Sequence, residues 1–276
     1  MVEIQYAPSA DTLIPWSECH SIERWHYDRM FAELRRGRTL GDWLFIVTES
    51  VAGVPRVGAR VVVILKSDEQ SRPPMYADTV QAIFRNYHRA ESHSGMRSVF
   101  PLPLPSLIPN PPPLRPTPTR RIDIAFMGHA GDRRRGFVEN LVALQATRRD
   151  LRIEFIPTGA FRGGLSPAEY SRTLADSRIA LCPRGGSVET FRFTEALQHG
   201  CVVIAEKQPP HPFYLPEEYH VVADWSMLGP LVQHLLPIDA ESRLASDAAH
   251  QAYRYWERAL SPEAVAQYVL ETLKGF

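Results

Sequence analysis

From residue 122 onward, short apolar runs and amphipathic segments alternate, and this alternation restricts the chain more than any other feature. Runs at 122–127, 151–156, 178–182, 201–205 and 219–223 have the aliphatic, β-branched character of buried strands, and segments of helical pattern at 136–147, 167–177, 188–199 and 227–236 stand between or after them. Ser166 followed by Pro167 is a helix start, with a capping hydroxyl and then a residue whose φ is already helical. Neighbouring parallel strands need a crossover, so strands separated by helices dictate a parallel sheet covered by helices. The second half is therefore expected to be Rossmann-like. Ligands of such sheets bind beyond the carboxyl ends of the strands, which directs attention to the residues after Met127, Ile156, Cys182 and Ala205. A helical tail is expected over 240–273, and its Tyr253, Tyr255, Trp256 and Tyr268 are expected to pack.

Before residue 100 the pattern is looser, with strands expected at 2–6, 43–48, 60–65 and 80–87 and a helix at 21–36. The segment 100–118 holds nine of the 24 prolines, and proline fixes φ and removes a donor, so an extended interdomain linker is expected there. The expectation is thus an α/β chain of two domains, 1–118 and 119–276, without internal repeats. With 44% hydrophobic and 22% charged residues, disorder is excluded, and 31 basic against 31 acidic side chains excludes a surface that is basic throughout while leaving room for a local groove. Cys19, Cys182 and Cys201 can form neither a disulfide framework nor a zinc site, and Cys182 and Cys201 read as small buried residues. No basic and apolar leader and no membrane-length run is present, so a cytoplasmic protein with at most peripheral membrane association is expected.

Two stretches carry candidate chemistry. The first strand of the second half runs into Gly128-His129-Ala130-Gly131-Asp132-Arg133-Arg134-Arg135 ahead of a helix. Glycines admit a phosphate to the backbone, a helix N-terminus offers partial positive charge, and Arg133 and Arg135 can bind phosphate oxygens; a solvated basic face is the alternative. The loop matches neither a dinucleotide fingerprint nor a P-loop. In the second stretch, 179–204, a strand enters a glycine turn with Arg184, Ser187 is expected to cap a helix, and Gly200 ends it. On that helix Arg192 and Glu195 are three residues apart and share a face. An arginine for a diphosphate beside a glutamate for vicinal hydroxyls suits a sugar nucleotide, while an intrahelical ion pair is the plain alternative.

The elements Leu181-Cys182-Pro183-Arg184-Gly185, Arg192, Glu195-Ala196, Gly200-Cys201, Val202-Val203-Ile204 and Pro212-Phe213 together resemble the exostosin-type glycosyltransferases. The segments Val63-Ile64-Leu65-Lys66-Ser67-Asp68-Glu69 and Phe84-Arg85-Asn86-Tyr87 are similar to further patterns of that family, and bacterial fucosyltransferase-like enzymes share the Arg and the Glu-Ala-Leu. The resemblance implies the GT-B architecture, two Rossmann-like domains facing a cleft, with the C-terminal helical tail crossing back onto the first domain. It implies transfer of a sugar from a nucleoside diphosphate sugar, UDP before GDP, to a saccharide or other hydroxyl acceptor, as in bacterial surface polysaccharide synthesis. No cofactor beyond this donor substrate is implied. Inversion is favoured because Glu189 and Glu195 are spaced differently from the glutamate pair of retaining relatives. Metal independence is expected because no Asp-x-Asp motif occurs, so arginines and helix N-terminal amides would neutralise the leaving diphosphate. The general base would come from Asp68 or Glu69, after the strand ending at Leu65, with Glu49 and His129 as rivals. The alternatives are a sugar-nucleotide epimerase or phosphorylase, a non-catalytic sugar-nucleotide or glycan-binding subunit, and a phage-type DNA-base glycosyltransferase. The last rests on the eight arginines against four acids between Arg120 and Arg152, the one feature that would bring nucleic acid in as a partner.

Overall fold

In chain order the elements are β1 (Glu3–Ala7), β2 (Ile14–Pro15), α1 (Arg24–Arg36), β3 (Leu44–Thr48), β4 (Gly58–Leu65), β5 (Val80–Arg85), β6 (Val99–Pro101), β7 (Ile122–His129), α2 (Arg135–Thr147), β8 (Ile153–Thr158), α3 (Pro167–Ala175), β9 (Ser177–Cys182), α4 (Phe191–Gln198), β10 (Val202–Glu206), β11 (His220–Val222), α5 (Leu228–Glu241), α6 (Ala245–Tyr255) and α7 (Pro262–Leu273). The computed structural model describes residues 2–36, 42–160, 163–241 and 245–276. They form two compact units, Met1–Leu107 with Leu260–Phe276, and Ile108–Ala259. The division falls at 107 instead of 118, and of the expected tail Leu260–Phe276, with Tyr268, belongs with the first unit, whereas Tyr253, Tyr255 and Trp256 belong with the second.

The first unit is a sheet in the order β2-β1-β3-β4-β5-β6, parallel except for the short β2. β3 buries all of Leu44–Thr48, as a strand covered on both faces must. Tyr27, Met30, Phe31 and Leu34 of α1 recur at helical spacing and meet Val265, Ala266, Val269 and Leu273 of α7 over one face. Loop residues such as Leu13, Val51, Tyr76 and Met96 cover the other. From β1 the parallel strands advance in one direction through β3, β4 and β5 to β6, with the antiparallel β2 added on the other side of β1, so the winding of the parallel strands does not reverse.

In the second unit the parallel order is β11-β10-β9-β7-β8. The chain steps outward from β7 to β8, then returns to β9 and continues to β11, so the winding reverses between β7 and β9. The carboxyl ends of those two strands, at Met127-Gly128 and Cys182-Pro183, flank the crevice where such sheets take ligands. Phe126 meets Phe137 with ring centroids 4.7 Å apart, and Phe137 meets Trp225 at the same distance, in the core between sheet, α2 and α5.

The proline-rich segment is extended, yet it is held down on both sides of the division. Leu102, Leu104 and Ile108 are buried; Asn86 donates to the carbonyls of Leu102 (3.2 Å) and Pro103 (2.9 Å), and Gln198 to that of Ile108 (3.1 Å). Gly200 ends α4 at φ +68°, where an added Cβ would stand 2.6 Å from the Ala249 carbonyl. The expected tail is not continuous. After α6 a π turn spans Trp256–Leu260, and Ser261 caps α7, its Oγ accepting from the Ala264 N–H at 3.2 Å; residues 242–244 of that expectation lie outside the described residues.

Candidate functional site

At the end of β7, Gly128 has φ +151°, and a Cβ there would lie 2.1 Å from Nη2 of Arg192. The glycine therefore makes room for an arginine, a role different from the close approach to phosphate expected of it. Arg192 donates to the Met127 carbonyl from Nε (3.1 Å) and Nη2 (2.9 Å), and its guanidinium lies 4.8 Å from the Phe126 ring centroid. No carboxylate among the described residues pairs with it, so the intrahelical ion pair with Glu195 is not formed. The helix that carries it begins at Phe191, three residues later than expected. Ser187 does not cap it: its Oγ accepts from the Glu189 N–H at 3.4 Å in the turn before, because the chain at 187–189 is not yet helical. Thr190 occupies the cap position in extended conformation without a capping bond, and its buried Oγ1 has no hydrogen-bond partner among the described residues. An N-terminus lacking a side-chain cap, beside a guanidinium without an acid, is a locally positive concavity at the reversal of the sheet.

Glu195, one turn along α4, is buried and accepts from the Tyr170 hydroxyl at 2.8 Å. Burial, and then the Glu195 carboxylate, raise the Tyr170 pKa well above that of an ordinary tyrosine, so the hydroxyl stays a donor. The next residue of α3, Ser171, lies 2.8 Å from Nε2 of His199, whose Nδ1 is 2.7 Å from the Glu195 carbonyl. A carbonyl can only accept, so Nδ1 carries the proton and Nε2 accepts from Ser171. Burial lowers this histidine to about 4 and keeps it neutral. The start of α3 is set by a reciprocal capping box between Ser166 and Glu169, which brings Tyr170 onto the first turn.

The loop after β7 divides its arginines. Arg133 is exposed and has no acid partner among the described residues, while Arg135 is paired with Asp132 at 2.9 Å. Arg134, absent from the sequence-based site, is buried and donates to the carbonyls of His129, Arg184 (2.7 Å) and Pro183 (3.2 Å). One fork thus ties together the loops that follow β7 and β9. Its signal was the run of three arginines entering a helix, but only the turn at Asp132–Arg134 decides which of them points inward. His129 is exposed, with Nδ1 3.2 Å from the Thr158 carbonyl. Arg184 is exposed, its Nε 3.9 Å from Glu206, which also accepts from Trp225 Nε1 at 2.9 Å. Glu206, Trp225, Asp224, Asn140 and Arg133 line a pocket beside this loop.

In the first unit, Asp68 is buried and accepts from Arg85 Nη2 (3.0 Å), Arg72 Nε (3.1 Å) and the Arg72 N–H (2.7 Å). Burial alone would raise its pKa, but these donors hold the carboxyl below the usual range. The structure thus corrects the reading of Asp68 as a ready proton acceptor: it is the anion that neutralises the fully buried Arg85. Glu69 beside it is exposed. The rival Glu49 contacts Lys66 at 2.6 Å, and Lys66 is shared with Glu23 at 3.1 Å. The arginine-rich run is divided: Arg120 is buried on carbonyls, Arg121 and Arg148 are paired with Asp176 (2.6 Å) and Asp150 (2.8 Å), and Arg134 is pinned as above, while Arg133, Arg149 and Arg152 are exposed. Cys182 and Cys201 are buried, their thiols pushed by burial up to about 12 and about 11. Among the described residues no helix is long and apolar enough to cross a membrane, and no three His, Cys, Asp or Glu side chains converge as a metal site.

The chain is similar to the solved structure of AviGT4, a glycosyltransferase involved in avilamycin A biosynthesis, with TM-score 0.53 and 15% identity over 99% of this chain and 96% of that one. A glycosyltransferase from Rickettsia africae gives TM-score 0.54 at 10% identity over 99% of this chain and 98% of its own. TarM gives 0.55 at 12% over 88% of this chain and 57% of its own. The likeness is one of fold. It matches the expected pairing of two Rossmann-like domains in an α/β chain. No family model and no curated protein matches the sequence.

Proposed function

We propose that the protein is a glycosyltransferase that moves a sugar from a nucleoside diphosphate donor to a hydroxyl acceptor. The observation that carries this reading is Arg192, a guanidinium without an acid partner among the described residues, at the N-terminus of α4, which lacks a side-chain cap, placed where the sheet reverses. A diphosphate seated there would meet Arg192, the first-turn amides of α4 and the Thr190 hydroxyl, with Arg133 as an additional cation. Glu195 would accept from the ribose hydroxyls. As the bond from the anomeric carbon to the diphosphate oxygen breaks, these fixed positive groups stabilise the charge that develops on the leaving group, the part a metal plays elsewhere. The acceptor oxygen then forms its bond from the opposite side, with inversion. Its proton passes to a base, and of the two acids after β4 the exposed Glu69 is the one proposed, since Asp68 is engaged with Arg85 and Arg72. The block from Leu181 to Phe213 supports exostosin-like enzymes as the family and UDP as the nucleotide, and a saccharide of a bacterial surface polymer as the acceptor.

The test is a thermal-shift titration of the purified protein with UDP, GDP, CMP, dTDP and their sugar conjugates in EDTA. A ligand at a hundred times its Kd raises stability by about 2.7 kcal/mol, enough for a clear shift. One nucleotide is expected to give it, and Arg192→Gln is expected to abolish it. No shift with any of them overturns the donor reading, and binding that strictly requires Mn²⁺ overturns metal independence.

A further inference from the structure

The reading above gives Glu195 the ribose hydroxyls but leaves its neighbour on α3 without a role. We infer that Tyr170 is a specificity-determining positioning residue, aiming the Glu195 carboxylate so that the site selects a ribonucleotide over its 2′-deoxy counterpart. The inference rests on the proposed donor site.

The argument is geometric. Glu195 is buried, and the Tyr170 hydroxyl donates to its Oε2 at 2.8 Å. A glutamate side chain has three rotatable bonds, the last of which turns the carboxylate plane with little restriction, and one directed donor on one oxygen fixes the plane in which the head group accepts. Glu195 comes from α4 and Tyr170 from α3, so this bond sets the relation of two elements. It does not act alone: Ser171 and His199, one position on along α3 and one turn on along α4, make a second bridge of 2.8 Å. The pair of bridges holds α3 against α4 in one register. Phenylalanine at 170 would keep the ring and its packing, leave the second bridge intact and remove only the donor. Arg192, one turn before Glu195, anchors to the Met127 carbonyl and takes no part in the bond, so contacts to the diphosphate are expected to survive this change. A site built to hydrogen-bond a hydroxyl rejects the analogue lacking it, and that rejection depends on how well the acceptor is aimed.

The experiment measures Kd by calorimetry for UDP and 2′-deoxy-UDP in the wild type, Tyr170→Phe and, as a control for the second bridge, Ser171→Ala. The wild type is expected to prefer UDP by about 10-fold, which corresponds to about 1.4 kcal/mol. In Tyr170→Phe the ratio is expected to fall to within a factor of two of unity, with deoxy-UDP affinity nearly unchanged; Ser171→Ala is expected to keep the wild-type ratio. A Tyr170→Phe protein that retains the full preference overturns the role of Tyr170 and leaves the donor reading standing. A wild type that binds both equally overturns the ribose role of Glu195 and this inference with it. A wild type that binds neither overturns UDP as the nucleotide and this inference with it, while the donor reading falls only if the other nucleotides fail as well.

Discussion

Arg134 and Arg192 are the same side chain on either side of one crevice, and their partners separate their roles. Arg134 is buried and donates to three carbonyls on two loops, so an ammonium in its place cannot reach them all. Arg134→Lys is expected to lower stability by about 3 kcal/mol in urea unfolding, because desolvated carbonyls lose donors. Arg192 is half-buried and has no acid partner among the described residues, so Arg192→Gln is expected to unfold at nearly the wild-type temperature while nucleotide affinity drops roughly 100-fold. Asp68 makes the opposite case. Removing one partner of a buried ion pair costs about 3–5 kcal/mol, so Asp68→Asn is expected to be a stability variant, read by urea unfolding. An Asp68→Asn protein of full stability that binds donor but fails to turn over would instead restore Asp68 as the base.

At the scale of elements, α3 and α4 are joined through groups that titrate. An unfolded histidine takes up a proton near pH 6.5, whereas folded His199 does so only near 4, so acid favours the unfolded chain. The stability contributed by its neutral form is complete above pH 6.5 and declines as pH falls towards 4. His199→Gln is expected to flatten that part of the stability curve, measured by urea unfolding at stepped pH; an unchanged slope would show that His199 is not the titrating group. His26 of α1, buried and lowered to about 3, contributes a similar decline from the first unit and serves as the comparison. The elements themselves were largely legible beforehand, because strands and helices differ in apolar period and because Ser166-Pro167 is an unambiguous start. What misled was local chemistry that serves two ends. Ser187 and Thr190 are both capping residues, and only the tertiary structure decides that the first closes a turn and the second precedes the helix. The site was legible in part for the same reason. Gly128, Arg192 and Glu195 stood out by type and spacing, but the contact of Gly128 with Arg192 and the bond from Tyr170 join residues far apart in sequence, and no period or spacing encodes such pairs.

For the whole molecule, the order of the chain has a consequence that neither sheet shows by itself. The first unit is begun by Met1–Leu107 and finished only by Leu260–Phe276, after the entire second unit has been made. Its helical face consists of α1 and α7, and the facing side chains of α7, Val265, Ala266, Val269 and Leu273, are at most 4% exposed. Burying an aliphatic side chain of the size of valine or leucine is worth roughly 1.5–3 kcal/mol, so the loss of α7 forfeits an amount comparable with the total stability of an ordinary domain. Phe84, fully buried and in edge-to-face contact with Tyr268, would then face solvent on the central part of the sheet. A chain ending at Ala259 is therefore expected to unfold in its first unit while the second, whose residues run without interruption from Ile108 to Ala259, keeps its structure. Hydrogen exchange read by mass spectrometry distinguishes the cases. Peptides from β3 and β4 are expected to lose protection and those from β7 and β9 to retain it. Equal protection in both sheets would mean that α1 and the loops suffice for the first unit, and that α7 serves some purpose other than completing its core.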